Sequence, residues 1–202
     1  MKVVGLCGGS GSGKGVVAGL LSEYGFAHID TDKIYHDLTD NPSPCLDELT
    51  FAFGKGIINE KGGLDRTSLA EIVFNSPSKD ELRKRLNRIA HRHVLDSVRE
   101  LLPRLKEKGF AAALVDAPLL FESGFDKECD LILAVCAPYD VRIKRICERD
   151  GITPDAAKRR IASQLSDEFL LSRADFCLTN DSTLTALRSE CESIVKKIIN
   201  NV

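Results

Sequence analysis

The chain has 202 residues, enough to bury roughly 70% of the surface its unfolded form exposes, so neither disulfides nor a metal staple is needed to hold a core. Its 28 basic and 30 acidic residues give a formal charge of −2, which points away from a nucleic-acid or acidic-membrane surface and requires any anionic ligand to be handled locally. The seven cysteines (7, 45, 129, 136, 147, 177 and 191) form no C-x-x-C pair and stand near no histidine cluster, which argues against zinc and against a disulfide framework. Met1-Lys2 runs straight into Val3-Val4-Gly5-Leu6, too short for a signal-peptide core, and no apolar run approaches a membrane span. The expectation is one compact cytoplasmic domain with reduced thiols and no membrane or nucleic-acid partner.

Val3–Cys7 is too uniformly apolar for a sheet with one wet face and predicts a buried strand. Directly after it stand Gly8-Gly9-Ser10-Gly11-Ser12-Gly13-Lys14-Gly15, which satisfy G-x-x-x-x-G-K, followed by an apolar helix over Val16–Tyr24. Glycines let the backbone curl so that successive N–H groups point inward, the helix start adds partial positive charge, and the lysine reaches the outer phosphates. Gly9, Gly11, Ser12, Gly13, Lys14, Gly15 and Val16 are therefore candidate ATP-binding residues, and Lys14 is also a candidate catalytic residue. Most such loops carry Ser or Thr after the lysine to hold magnesium; here Gly15 removes that hydroxyl. Adenylate kinases also carry glycine there, so water or a carboxylate can complete the shell, although their following threonine is Val16 here. A rival pattern is the relaxed dinucleotide fingerprint Gly13-x-Gly15-x-x-Ala18 with Asp32 downstream. It would leave Gly8–Ser12 as an idle spacer and Lys14 without a role, so the phosphate loop is preferred.

The next strand, Phe26–Ile29, leads into Asp30-Thr31-Asp32. In a parallel sheet the C-terminal strand ends form the ligand crevice, which puts a carboxylate beside the phosphates. Asp32 is the candidate base for an acceptor hydroxyl, with Asp30 second; the alternative is that Asp32 caps a helix over Lys33–Leu38. From about Lys33 to Gly109 the pattern is helical without a convincing strand. Ser78 and Glu81 have capping-box spacing before a long helix over Lys79–Lys108, which Pro103 is expected to bend or end.

A third strand over Ala111–Val115 leads to Asp116, which resembles the acidic end of a Walker B strand and would hold magnesium through water. Pro118 marks the strand's end and a turn over the acceptor site, while Phe121 and Glu122 either face a pocket or pack. After a fourth strand, Leu131–Val135, come helices over Asp140–Arg149 and Pro154–Gln164, the second started by Thr153-Pro154. They carry Arg142, Lys144, Arg145, Arg149, Lys158, Arg159 and Arg160, a series that on its own reads as a solvated face. A fifth strand, Phe176–Thr179, and a helix over Leu184–Asn200 complete the pattern. The fold class is α/β: a three-layer P-loop fold with a mostly parallel five-stranded sheet.

The whole order of motifs resembles the dephospho-CoA kinase family. Gly5-Leu6-Cys7-Gly8-Gly9-Ser10-Gly11-Ser12-Gly13-Lys14 is similar to its opening, Ile29-Asp30-Thr31-Asp32 to its acidic motif, and Pro118-Leu119-Leu120-Phe121-Glu122-Ser123-Gly124 to its third-strand signature. Leu64-Asp65-Arg66 with Val73-Phe74, His91, Arg145 with Arg149-Asp150-Gly151, Arg160-Ile161 with Gln164, and Ala174-Asp175 leading to Asn180 follow in the same order. The resemblance implies a core over about 1–32, 110–138 and 167–202, a helical acceptor-binding insertion over about 33–109 and a mobile helical lid over about 139–166. It also implies ATP and Mg2+, with Lys14 and Arg145 neutralising the migrating phosphoryl group and Arg149 or Arg142 assisting. By the same likeness Asp32 activates the ribose 3′-hydroxyl of dephospho-CoA, and Asn180 joins the ATP site. His91, Pro118, Leu119, Phe121 and Glu122 join the acceptor site; His91 stands where the family usually has His-Pro, but Arg92 follows it here.

Two other readings stay open at this level. One is another small-molecule P-loop kinase, acting on a nucleoside or sugar acid; the Pro118–Gly124 signature speaks against it. The other is a nucleotide-dependent binding protein, which Gly15 favours and the absence of an N-K-x-D guanine motif restricts.

Overall fold

The computed structural model describes residues 1–200. Five strands form one sheet in the order β2-β3-β1-β4-β5: β1 (Lys2–Cys7), β2 (Phe26–Asp30), β3 (Ala112–Asp116), β4 (Leu131–Cys136) and β5 (Phe176–Thr179). The pairs β1–β3, β1–β4 and β4–β5 run parallel. All five residues of β3 are buried, the burial expected of an interior strand covered on both faces.

Nine α-helices occur among the described residues: α1 (Lys14–Glu23), α2 (Thr31–Asp40), α3 (Pro44–Phe53), α4 (Arg66–Phe74), α5 (Lys79–Glu107), α6 (Tyr139–Asp150), α7 (Pro154–Ala162), α8 (Asp167–Arg173) and α9 (Leu184–Asn200). Local chemistry explains several starts. Thr153 Oγ1 accepts from Ala156 N at 3.3 Å with Pro154 in the first turn, and Ser43 caps α3 in the same style before Pro44. Of the two effects expected of Pro103, it does not end the long helix, which spans Lys79–Glu107. A proline inside a helix costs ~3 kcal/mol, and packing of apolar residues such as Val94, Leu95 and Val98, each worth ~1.5–3 kcal/mol when buried, outweighs it. The short helix α8 was not foreseen, since seven residues leave little room for periodicity.

The chain divides into two compact units. One combines Met1–Ile29 with the chain from Pro103 onward; the other is Asp30–Leu102. In the first, Leu187, Cys191, Ile194, Val195 and Ile198 form the apolar stripe of α9 and join Val4, Leu6, Val17, Leu21, Leu114, Leu133 and Val135 in one core. In the second, Cys45, Leu46, Leu49, Ile57, Leu64, Leu69, Val73 and Ile89 form a separate core, and its only extended pairing among the described residues is the isolated bridge Ile58–Leu64. Among the described residues no helix is long and apolar enough to cross a membrane.

Candidate active site

The segment between β1 and α1 turns on glycine. Gly11 and Gly13 adopt φ of 79° and 89°, the left-handed region that disfavours any side chain. The loop carbonyls are turned outward and held: Arg142 Nε donates to Ser10 O at 2.8 Å, Arg145 Nη1 to Gly11 O at 3.3 Å, and Asn180 Nδ2 to Ser12 O at 2.9 Å. The peptides that bear these carbonyls carry the N–H groups of Gly11, Ser12 and Gly13; that of Ser12 donates to Gly9 O at 3.1 Å, and those of Gly11 and Gly13 point away from the held carbonyls. No side chain caps α1, and the amides of Lys14 and Gly15 at its start have no intrahelical acceptor. The result is a concave donor surface at a positive helix end, suited to phosphate oxygens. A strand that ends at Cys7, with five residues between it and Gly13, also removes the rival dinucleotide reading.

Register places the first carboxylate. Leu6 pairs with Asp116 across β1 and β3, so the end of β3 stands beside the loop. Lys14 Nζ donates to Asp116 Oδ1, forming an ion pair between side chains only 18% and 10% exposed. His28 Nε2 stands 3.5 Å from Asp116 Oδ2. Ser12 Oγ, within the loop, is buried and has no hydrogen-bond partner.

Around β2, Asp30 rather than Asp32 caps the following helix: Asp30 Oδ1 accepts from Lys33 N at 3.0 Å, and Asp32 lies inside the first turn of α2. The alternative capping role for Asp32 is thereby corrected. The cause is that α2 starts two residues earlier than expected, at Thr31. His91 lies half-buried on α5. After β3, Pro118, Leu119 and Glu122 are exposed, Leu119 at 42%, while Phe121 packs edge-on against Phe169 with ring centroids 5.3 Å apart.

The basic series divides by partner. Arg142 is buried; Arg145 also donates to Asn180 O at 3.1 Å and to Asn180 Oδ1 at 3.3 Å, so it and Asn180 meet the loop together. Arg149 instead forks onto Asp150, at 2.8 and 3.0 Å, and Arg160 donates to the same carboxylate, tying α7 to α6. Hydrogen bonds from Arg149, then from Arg160, lower the Asp150 pKa from 3.8 to about 2. A folded value below the unfolded one contributes stability above about pH 4, and that contribution is lost as pH falls through about 2. Protection factors of the amides in residues 149–160, measured against the intrinsic rate at each pH, are therefore expected to stay high at pH 5 and to fall in acid. Asp150→Asn should reproduce the loss of protection at neutral pH, and full protection in that variant would remove Asp150 as the tie.

The dephospho-CoA kinase family model matches residues 2–186. The chain belongs to the dephospho-CoA kinase family. A curated dephospho-CoA kinase of Corynebacterium glutamicum is 37% identical over 202 residues, with both chains fully covered. Among solved structures, TT1252 from Thermus thermophilus superposes with a TM-score of 0.80 at 30% identity, covering 97% of each chain. The dephospho-CoA kinase from Campylobacter jejuni gives 0.72 at 28% identity, covering 98% of each chain. The family consists of transferases acting in the final step of coenzyme A biosynthesis.

Two further features of the loop's surroundings stand out. A Cβ built at Gly15 meets nothing within 4 Å, so packing does not require the glycine that replaces the usual hydroxyl residue. His28 lies outside every motif and interrupts the otherwise apolar run Phe26–Ile29. The signal was a lone polar residue, exposed between buried Ala27 and Ile29 in a strand expected to be covered. The thiols nearby are quiet, with burial pushing Cys7 and Cys136 up to about 12.

Proposed function

We propose that this chain transfers the γ-phosphoryl group of ATP to the ribose 3′-hydroxyl of dephospho-CoA, giving coenzyme A and ADP. The observation that carries the reading is the Lys14–Asp116 pair at the mouth of a loop whose carbonyls are held outward. Polyphosphate would accept from the loop amides and draw Lys14 Nζ from Asp116 to its β- and γ-oxygens. Asp32 takes the proton of the acceptor hydroxyl, a role typically worth ~10²–10⁴ in rate. Arg145 and Asn180 border the nucleotide, Arg149 adds charge when the lid closes, and closure excludes water as a competing acceptor. His91, Pro118, Leu119, Phe121 and Glu122 are assigned to the acceptor side on their family motifs. The division into core, acceptor-binding insertion and lid belongs to the same reading, as does a cytoplasmic location, for which seven free cysteines speak.

The site fits a magnesium ion of the kind that keeps most of its waters. Asp116 is a nearly buried hard oxygen donor next to the loop, while among the described residues no group of three or more His, Cys, Asp or Glu forms a protein cage. Asp116 would hold the ion through water, and the ion would supply charge neutralisation at the β- and γ-phosphates. Because a side chain at Gly15 enters open space, Gly15→Ser should leave the melting temperature unchanged or slightly higher. It should lower the magnesium concentration for half-maximal nucleotide binding by up to about tenfold, the equivalent of ~1.4 kcal/mol. An unchanged magnesium requirement would place the ion away from position 15.

The direct test is magnesium-dependent conversion of dephospho-CoA with ATP, product mass and fragmentation locating the new phosphate. Conversion at the 3′-hydroxyl is expected. A folded protein that ignores dephospho-CoA while phosphorylating another alcohol would overturn the acceptor, and one that binds ATP without turnover would favour the binding-protein reading that Gly15 suggests.

A further inference from the structure

The outer side of the phosphate loop is packed against α6. A Cβ at Gly9 would lie 2.2 Å from Arg142 Nη2, and one at Gly11 would lie 2.7 Å from the Arg142 carbonyl oxygen. Neither contact involves a ligand: at Gly11 the Arg142 backbone adds to a φ of 79° that already disfavours a side chain, and at Gly9 a methyl would have to displace the guanidinium of Arg142. Arg142 is only 3% exposed, and a guanidinium at that depth needs a counter-charge and filled donors. Asp167 supplies both, accepting from Nη1 at 2.8 and 2.9 Å in a fork, while Nε holds Ser10 O at 2.8 Å. Gln164 grips the same residue from another direction: its Oε1 accepts from Ser10 N at 2.9 Å and its Nε2 donates to Ser10 Oγ at 3.1 Å. Ser10 is thus held at its amide, its carbonyl and its hydroxyl, by residues on α6 and on the segment that leaves α7.

We propose that Arg142, Gln164 and Asp167 are positioning residues that clamp the phosphate loop in its nucleotide-binding shape and couple that loop to the exit of the lid. The proposal rests on the reading that the loop binds ATP. The loop's peptides are oriented during folding rather than at binding, so loosening the clamp costs affinity for the polyphosphate. By reciprocity, a nucleotide that favours the clamped loop also steadies residues 164–167. Arg142 is consumed in this clamp, which removes it from the arginines expected to meet the migrating phosphoryl group.

The test is a double-mutant cycle read as ADP affinity by calorimetry, on wild type, Gly9→Ala, Arg142→Ala and the double variant. Gly9→Ala should weaken ADP binding about tenfold when Arg142 is present, because its methyl displaces the guanidinium, and less than about twofold when residue 142 is already Ala. The same penalty in both backgrounds would overturn the clamp, since the glycine would then serve the ligand directly. Should Arg142→Ala fail to fold, Gln164→Ala carries the test by hydrogen exchange. The amides of Ser10–Ser12 should exchange at least ~5-fold faster while those of β3 do not change, and KM for ATP should rise by a larger factor than kcat falls. Loop exchange as slow as in wild type would equally refute the proposal. A wild-type protein that does not bind ADP would sink the nucleotide reading alone, because loop exchange in Gln164→Ala still reports on the clamp.

Discussion

Lys14→Ala is expected to reduce turnover by at least ~10²–10³, with ATP binding weakened as well. The ammonium belongs to the first residue of α1, directly after the loop, while the guanidinium of Arg145 donates to the loop carbonyls. The same substitution has a structural consequence that must be separated from the chemical one. Asp116 is 7% exposed and loses Lys14 as an ion-pair partner while His28 stays 3.5 Å away, and breaking a buried ion pair costs up to ~3–5 kcal/mol in fully desolvated cases. Both side chains here retain some solvent contact, so the cost should fall below that range. Assays well below the melting temperature of the variant, with Lys14→Met retaining the apolar stem, isolate the catalytic loss. Turnover near the wild-type rate in either folded variant would rule out the phosphate-loop assignment.

Asp32→Asn is the second large effect, and its signature is a split between parameters. The substitution keeps size and removes the proton acceptor, so kcat should fall by ~10²–10⁴ while ATP affinity stays within about twofold. Asp30, not Asp32, caps α2, so the replacement leaves the helix cap in place and forfeits the favourable placement of a carboxylate in the first helical turn, ~0.3–1 kcal/mol. Single-turnover rates with dephospho-CoA, beside a nucleotide titration, measure both quantities. A normal kcat would return Asp32 to the helix dipole; a loss confined to ATP affinity would move it to the nucleotide side.

Much of the fold was legible because its signals are local. The run Val3–Cys7, the glycines behind it and the periodicity of Val16–Tyr24 lie within about two dozen residues, and each acts on its own backbone. Thr153-Pro154 marked a helix start for the same reason. Two local signals left alternatives that the structure decided. Pro103 stays inside α5, where side-chain packing outweighs its missing N–H, and the cap of α2 is Asp30 rather than Asp32 because the helix begins two residues earlier than its apolar pattern implies.

The candidate site divides the same way. The phosphate loop, the acidic ends of β2 and β3, the α/β order and the family signature are each written in contiguous residues whose geometry follows from glycine, proline and strand ends. Which charges meet is a property of the folded chain. Lys14 and Asp116 are 102 positions apart, Ser12 and Asn180 are 168 apart, and the Arg142–Asp167 fork joins residues 25 apart. A list of basic residues on α6 and α7 could not separate Arg142, buried in a clamp, from Arg149, paired at the surface with Asp150. That separation follows from the strand order β2-β3-β1-β4-β5, which sets the ends of β3 and β5 and the start of α6 around one loop. Charge pairing depends on distance in space and on desolvation, and neither quantity exists until the sheet has closed its order.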